Sequence, residues 1–214
     1  MPPTTDPPTP DTRCSLRCGT LRRVVMQRVV LLTASSLCVP AWASDTAPLE
    51  FPASMVLEPG IPPLLRTGSG VFRFFLIRYY ACALYVATET MQTSRVLDAD
   101  SPRRVYISAL RNISAFEFIW GLDRGLADNT TTSERAALST DVDRVRSLIR
   151  DIGQIKPGSE VAIDYLPARG VRIVMGGVQR GSWLGGKPLA DALLKIWIGE
   201  RPLDAALKEA LLGR

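Results

Sequence analysis

No histidine occurs anywhere in the 214 residues. Its absence removes Ser-His-Asp and Cys-His nucleophilic catalysis and leaves a zinc or non-haem iron site without its commonest ligand. Cysteine is almost as scarce. Of the four present, Cys14, Cys18 and Cys38 fall within the first 43 residues and only Cys82 lies beyond, so no intramolecular disulfide can form downstream of residue 43. Within its apolar stretch Cys82 reads as a small buried hydrophobe. A glycine-rich phosphate loop is missing too: Gly68-x-Gly70 and Gly176-Gly177 precede strand-like sequence rather than helix starts, and read as tight turns. Neither a metal nor a cofactor is expected. The formal charge of +5 is shared unevenly, because five of the 26 basic residues and two of the 21 acidic ones precede Ser44, leaving about +2 for the rest. Without a basic stripe, nucleic acid is not an expected partner.

The first 43 residues look like an export signal. Met26-Gln27-Arg28 leads into an apolar stretch over residues 29–39, followed by Ala41-Trp42-Ala43. A basic start, a short apolar core and an Ala-x-Ala exit predict cleavage between Ala43 and Ser44 and a periplasmic protein. The apolar core is too short for a permanent span, and no integral membrane span is expected in the mature chain. Translation from Met1 or from Met26 fits this reading equally. The remaining residues, 44–214, make one domain with a full core.

Within that domain the residue pattern separates strands from helices. Residues 51–57 and 103–110 read as strands, the second from the alternation of Val105, Ile107 and Ala109 with Arg104, Tyr106 and Ser108. Ser114-x-x-Glu117 and Thr131-x-x-Glu134 are capping boxes that open two helices, the second ended by Gly153. Residues 160–165, 171–175 and 178–182 form a meander, and two helices follow, about 188–198 and from Pro202 onward. Antiparallel strands grouped apart from helices predict an α+β architecture, a sheet layered with helices.

The run from Gly68 to Ala87 carries the functional question. It is long, β-prone and apolar on both faces, which predicts one central strand, yet Arg73, Arg78, Tyr79, Tyr80 and Tyr85 thread polar tips through it. A buried arginine or tyrosine needs a partner, so a ligand is sought here; the alternative is a core strand whose tips reach solvent at its ends.

The order of segments also carries a resemblance. Gly68-Ser-Gly-Val71, Tyr80-x-x-x-Leu84-Tyr85, Leu110-Arg-Asn-Ile113, Asp164-Tyr-Leu-Pro167 and the ending from Ala192 through Trp197 to Leu211-Leu-Gly213 are similar, in sequence and spacing, to the exported bacterial chalcone isomerase-like proteins. The resemblance implies the chalcone isomerase-like open-faced sandwich with a cleft between sheet and helices. It does not by itself settle activity. Carried over by spacing, the family's catalytic Arg position falls on Phe72 with Arg73 beside it, the Thr position on Tyr80 and the late Ser/Thr on Ala190; the helical region offers only Ser133 and Thr140. Chalcone cyclisation is therefore not expected. The related plastid fatty-acid-binding proteins pair the strand Arg with a Tyr at the Thr position, which Tyr80 matches.

The resulting expectation is a non-catalytic protein that binds a fatty acid or similar small apolar acid, with Arg73 and Tyr80 on the carboxylate and Phe74, Leu76 and Trp120 as the apolar wall. Arg73 and Tyr80 stand seven residues apart, an odd number, so sharing a cleft requires a bulge or break between them. Arg111 is a second anchor, or else a brace for the following helix. Two other readings remain open: an intramolecular lyase of the chalcone isomerase type acting on an enone through Tyr80 and Arg73, and an envelope interaction protein with unknown protein partners.

Overall fold

A computed structural model describes residues 50–88 and 96–214; the expected leader, its Ala43/Ser44 exit and Met26 lie outside the described residues. Seven strands form one fully antiparallel sheet: β1 (Ser54–Met55), β2 (Leu64–Phe74), β3 (Ile77–Val86), β4 (Arg103–Ala109), β7 (Glu160–Leu166), β8 (Gly170–Met175) and β9 (Val178–Leu184), hydrogen-bonded in that order. Between β4 and β7 the chain makes β5 (Ile113–Ser114), helices α1 (Ala115–Asn129) and α2 (Thr132–Ile152), and β6 (Gln154–Ile155), which pairs with β5. Helices α3 (Lys187–Ile198) and α4 (Ala205–Leu211) close the chain. This is an open-faced α+β sandwich, as the grouping of elements predicts.

Alternation along β3 divides two cores. Tyr80, Cys82, Leu84 and Val86 pack with the helices, while Ala81, Ala83 and Tyr85 pack with Phe51, Leu57 and Leu64 on the opposite face. Both capping boxes form: the Ser114 hydroxyl accepts from the Glu117 amide and Thr131 from Glu134, and each glutamate bonds back to the cap residue's N–H. Those bonds set the entry angles of α1 and α2 over the sheet.

Several expectations need correction. The run expected as one central strand is a hairpin, β2 and β3 joined at Phe75-Leu76, with Phe75 in the left-handed region at φ 53°. No Gly, Asn, Asp or Pro marks that turn, so residue preferences gave no sign of it. Gly68 and Gly70 are not a tight turn but lie inside β2, where added Cβ atoms would meet the Ala210 carbonyl oxygen at 2.0 Å and Leu207 Cδ1 at 2.9 Å. Glycine there lets α4 lie directly on the strand. The first strand shrinks to Ser54–Met55. The last helix begins at Ala205, beyond Pro202, because the Asp204 carboxylate caps it by accepting from the Leu207 amide at 3.0 Å.

Candidate functional site

The hairpin sets the geometry of the site. Tyr80 opposes Phe72, but the register then slips so that Arg78 opposes Arg73, leaving Tyr79 as the extra residue of a bulge. Tyr79 and Tyr80 can therefore both face the helix side, beside Phe72 and Phe74. The four rings form a cluster: Phe72 stacks on Tyr80 with centroids 4.9 Å apart and meets Tyr79 edge-on at 5.9 Å, and Phe74 meets Tyr79 at 6.5 Å.

Against this cluster lies a cavity of about 280 Å³ between sheet and helices, near the low end of the size range of small-molecule sites, about 300–1,000 Å³. Its floor is Val161, Ile163 and Ile173 of the sheet; α1 supplies Phe118 and Leu122, α2 supplies Val145 and Ile149, and α3 supplies Leu193, Ile196 and Trp197. The opening is marked by lining residues that are exposed, Phe74, Phe116 and Trp120, with the Phe74 and Trp120 rings 5.4 Å apart.

Tyr80 is the buried polar group of this cavity. Trp197 Nε1 donates to its hydroxyl oxygen at 3.0 Å, and no described residue accepts the phenol's own proton. Desolvation pushes the Tyr80 pKa far above the ordinary phenol value, so the group stays protonated and serves as a hydrogen-bond donor, not as a base. Buried Cys82 is likewise held as a thiol by desolvation. Among the described residues charge enters only at the rim, where Glu117 lines the opening and backbone hydrogen bonding to Ser114 holds its carboxyl below the usual range. The Arg111 guanidinium sits 4.6 Å over the Tyr79 ring and pairs with Glu117 at 3.7 Å.

Of the residues named from the sequence, Tyr80, Phe74 and Trp120 meet at this cavity. Arg73 does not: flanked by Phe72 and Phe74, which line the cavity, it belongs to the other face of the strand and is exposed, so the bulge brings in Tyr79 instead of Arg73. Leu76 sits at the hairpin tip, outside the lining. Arg111 braces the first turn of α1 through Glu117 and touches the lining only through Tyr79 and Glu117. Ala190 is buried on α3 away from the cavity, and Ser133 and Thr140 are exposed on α2. Trp197, which orients Tyr80, was legible only as an apolar helix position, since nothing in the pattern of α3 distinguishes it from its core neighbours. Among the described residues no group of acidic or cysteine side chains is placed to hold a metal ion.

Comparison with known proteins agrees with the architecture. A fatty-acid-binding protein of Arabidopsis thaliana superposes with a TM-score of 0.61 at 18% identity, over 76% of this chain and 91% of that one; at that identity the likeness is one of fold. No curated protein matches the chain by sequence. The family model described as chalcone isomerase-like matches residues 43–213, which is nearly the whole of the domain built above, and the chain thus belongs to the chalcone isomerase-like family.

Proposed function

We propose that this protein is exported and binds a fatty acid or similar apolar acid, without catalysis, in the cavity between sheet and helices. The observation that carries the reading is the unspent O–H of Tyr80 in an otherwise apolar enclosure. A ligand there gains most of its affinity from burying methylenes and its orientation from one acceptor oxygen. The fatty-acid-binding protein that shares the fold supports the same class of ligand.

The lining also suggests which end enters first. Among the described residues no arginine or lysine lines the cavity, so a carboxylate placed inside would be an unpaired buried charge. The carboxyl group enters as the neutral acid, accepting from Tyr80, and the tail runs toward the apolar rim at Phe74, Phe116 and Trp120. An isomerase of the chalcone type is less well supported, because Phe72 stands in the cavity where a cation would be needed to stabilise a phenolate.

Native mass spectrometry and lipid extraction of the purified protein test the ligand class directly. Titration with decanoic acid adds a sign. Because the bound form carries the proton, affinity falls as pH rises above the acid's solution pKa, by up to about tenfold per unit. An affinity that holds level or rises from about pH 5 to about pH 8 means a carboxylate is bound and the inward neutral acid is wrong. N-terminal sequencing is expected to find Ser44 first; an intact Met1 or Met26 on the exported protein would remove that part of the proposal.

A further inference from the structure

The apolar residues around the cavity mouth do not stop at its rim. Among the described residues, eight large apolar side chains stand exposed, and six of them gather here: Phe74, Phe75, Leu76 and Ile77 on the hairpin, and Phe116 and Trp120 on α1. The tip is the extreme case, with Phe75 87% and Leu76 96% exposed. Ordinary hairpins of this length put Asn-Gly or Asp-Gly at such a turn, which relaxes the backbone and is soluble. Here Phe75 adopts φ 53°, a conformation costly for a bulky residue, so the sequence bears both strain and exposed apolar area at one point.

Directly behind the tip, Arg73 and Arg78 are cross-strand partners. Like charges directly opposite repel, and neither guanidinium forms an ion pair with a described residue; the nearby Asp204 carboxylate accepts from the Arg73 backbone N–H at 3.3 Å and offsets one of the two charges. Glu117, the acidic group of the rim, is already paired with Arg111. The patch thus has an apolar point backed by two arginines against one carboxylate, a net positive charge. That is the pattern of a segment seated at a bilayer interface, with aromatic and aliphatic side chains at the acyl boundary and arginines at the phosphates.

We propose that the β2–β3 hairpin tip, with Phe116 and Trp120 beside it, docks this protein on an anionic lipid bilayer and presents the cavity mouth to the membrane. The docking does not depend on what the cavity holds. It would let an apolar ligand pass between lipid and cavity without crossing water.

The test uses protein recovered after export, wild type and variant with the same N-terminus, and vesicles of phosphatidylcholine alone or mixed with phosphatidylglycerol. Wild type is expected to cosediment with the mixed vesicles, more strongly at low salt. The pair Phe75→Asn and Leu76→Asp, at exposed positions where Asn also relieves the positive φ, is expected to lower partitioning at least about tenfold with the thermal transition unchanged or raised. Arg73→Glu with Arg78→Glu is expected to abolish the preference for phosphatidylglycerol. A readout on unaltered hairpins guards against misfolded variants: brominated lipids should quench a component of the fluorescence that Trp120→Phe removes. Failure of wild type to bind either vesicle overturns the proposal, as does binding indifferent to the tip substitutions. Wild-type dimers that the tip substitutions convert to monomers, without vesicle binding, would instead make the patch an interface between copies. None of these outcomes bears on decanoic acid binding in solution, so this proposal and the ligand reading fail separately.

Discussion

On the sheet face covered by residues 51–63, Asp164 is fully buried and accepts from Arg104 Nη2 at 2.7 Å and from Arg172 Nε at 2.8 Å, while Arg172 and Arg169 both pair with Glu58. On the helix-covered face, Tyr80 accepts from Trp197 and donates to no described residue. The first arrangement answers donors with acceptors from within the chain, Arg169 and Arg172 also resting on the Trp183 ring. It holds the segment around Leu57 and Glu58 to the sheet and offers nothing to a ligand. The second leaves one donor unspent beside empty apolar space. Burial of polar groups alone does not mark a site; an unspent hydrogen bond next to a cavity does.

Substitutions on the two faces should therefore fail in different assays. The largest effect is expected for Asp164→Ala, which removes the fully buried carboxylate that joins Arg104 to Arg172, leaving Arg172 to Glu58 and Arg104 with no carboxylate, and should lower unfolding free energy in urea by about 3–5 kcal/mol. A loss under about 1 kcal/mol would mean that the two arginines reach water more easily than their burial implies. Tyr80→Phe is the complementary case. It should weaken decanoic acid binding by about 1–2 kcal/mol in calorimetric titration, and cost about 1–3 kcal/mol of stability because Trp197 Nε1 loses its acceptor. Unchanged affinity would move the ligand's oxygen away from the phenol and toward the rim.

A smaller effect belongs to Glu117 at the rim. Its folded-state pKa is lowered from an ordinary 4.5, mainly by the backbone hydrogen bond to Ser114. The stabilisation it lends to α1 is therefore fully present above 4.5 and disappears as pH falls through the depressed folded value. Hydrogen exchange should show the first turn of α1 opening on acidification in the wild type, and Glu117→Gln should flatten that response. The smallest effect is expected for Arg73→Ala, whose side chain is exposed and faces Arg78. Stability should stay within about 0.5 kcal/mol and decanoic acid affinity should not change. A marked loss of affinity would restore Arg73 to the site and undo the contrast between the faces.

Much of the fold was legible because it rests on local chemistry. The two capping boxes, the glycine turn at Gly176-Gly177, the alternation of β4 and the apolar stripes of the helices announce elements through neighbours a few residues apart, and those elements are present. The candidate site was legible in part. Tyr80 and Phe74 stood out because an apolar stretch with polar tips is unusual, and Trp120 was named only as an apolar wall residue. Arg73 was placed with Tyr80 on the expectation of one bulge or break between them; the chain makes both, a turn at Phe75-Leu76 and a bulge at Tyr79, and their changes of face cancel.

By itself, then, the sequence determined which elements form and one chemistry the domain lacks: without histidine there is no imidazole base, and the capping boxes and strand alternation set a sheet layered with helices. Only the tertiary structure decided which polar groups that domain leaves unspent. The one-residue slip opposite Phe72 turns Tyr79 toward the cavity and leaves Arg73 on the far face, and Trp197, 117 residues from Tyr80 in the chain, takes one side of the phenol's hydrogen bonding and leaves the other open. Both depend on contacts between distant segments, where a shift of one residue along a strand exchanges its faces, and no local pattern records that choice.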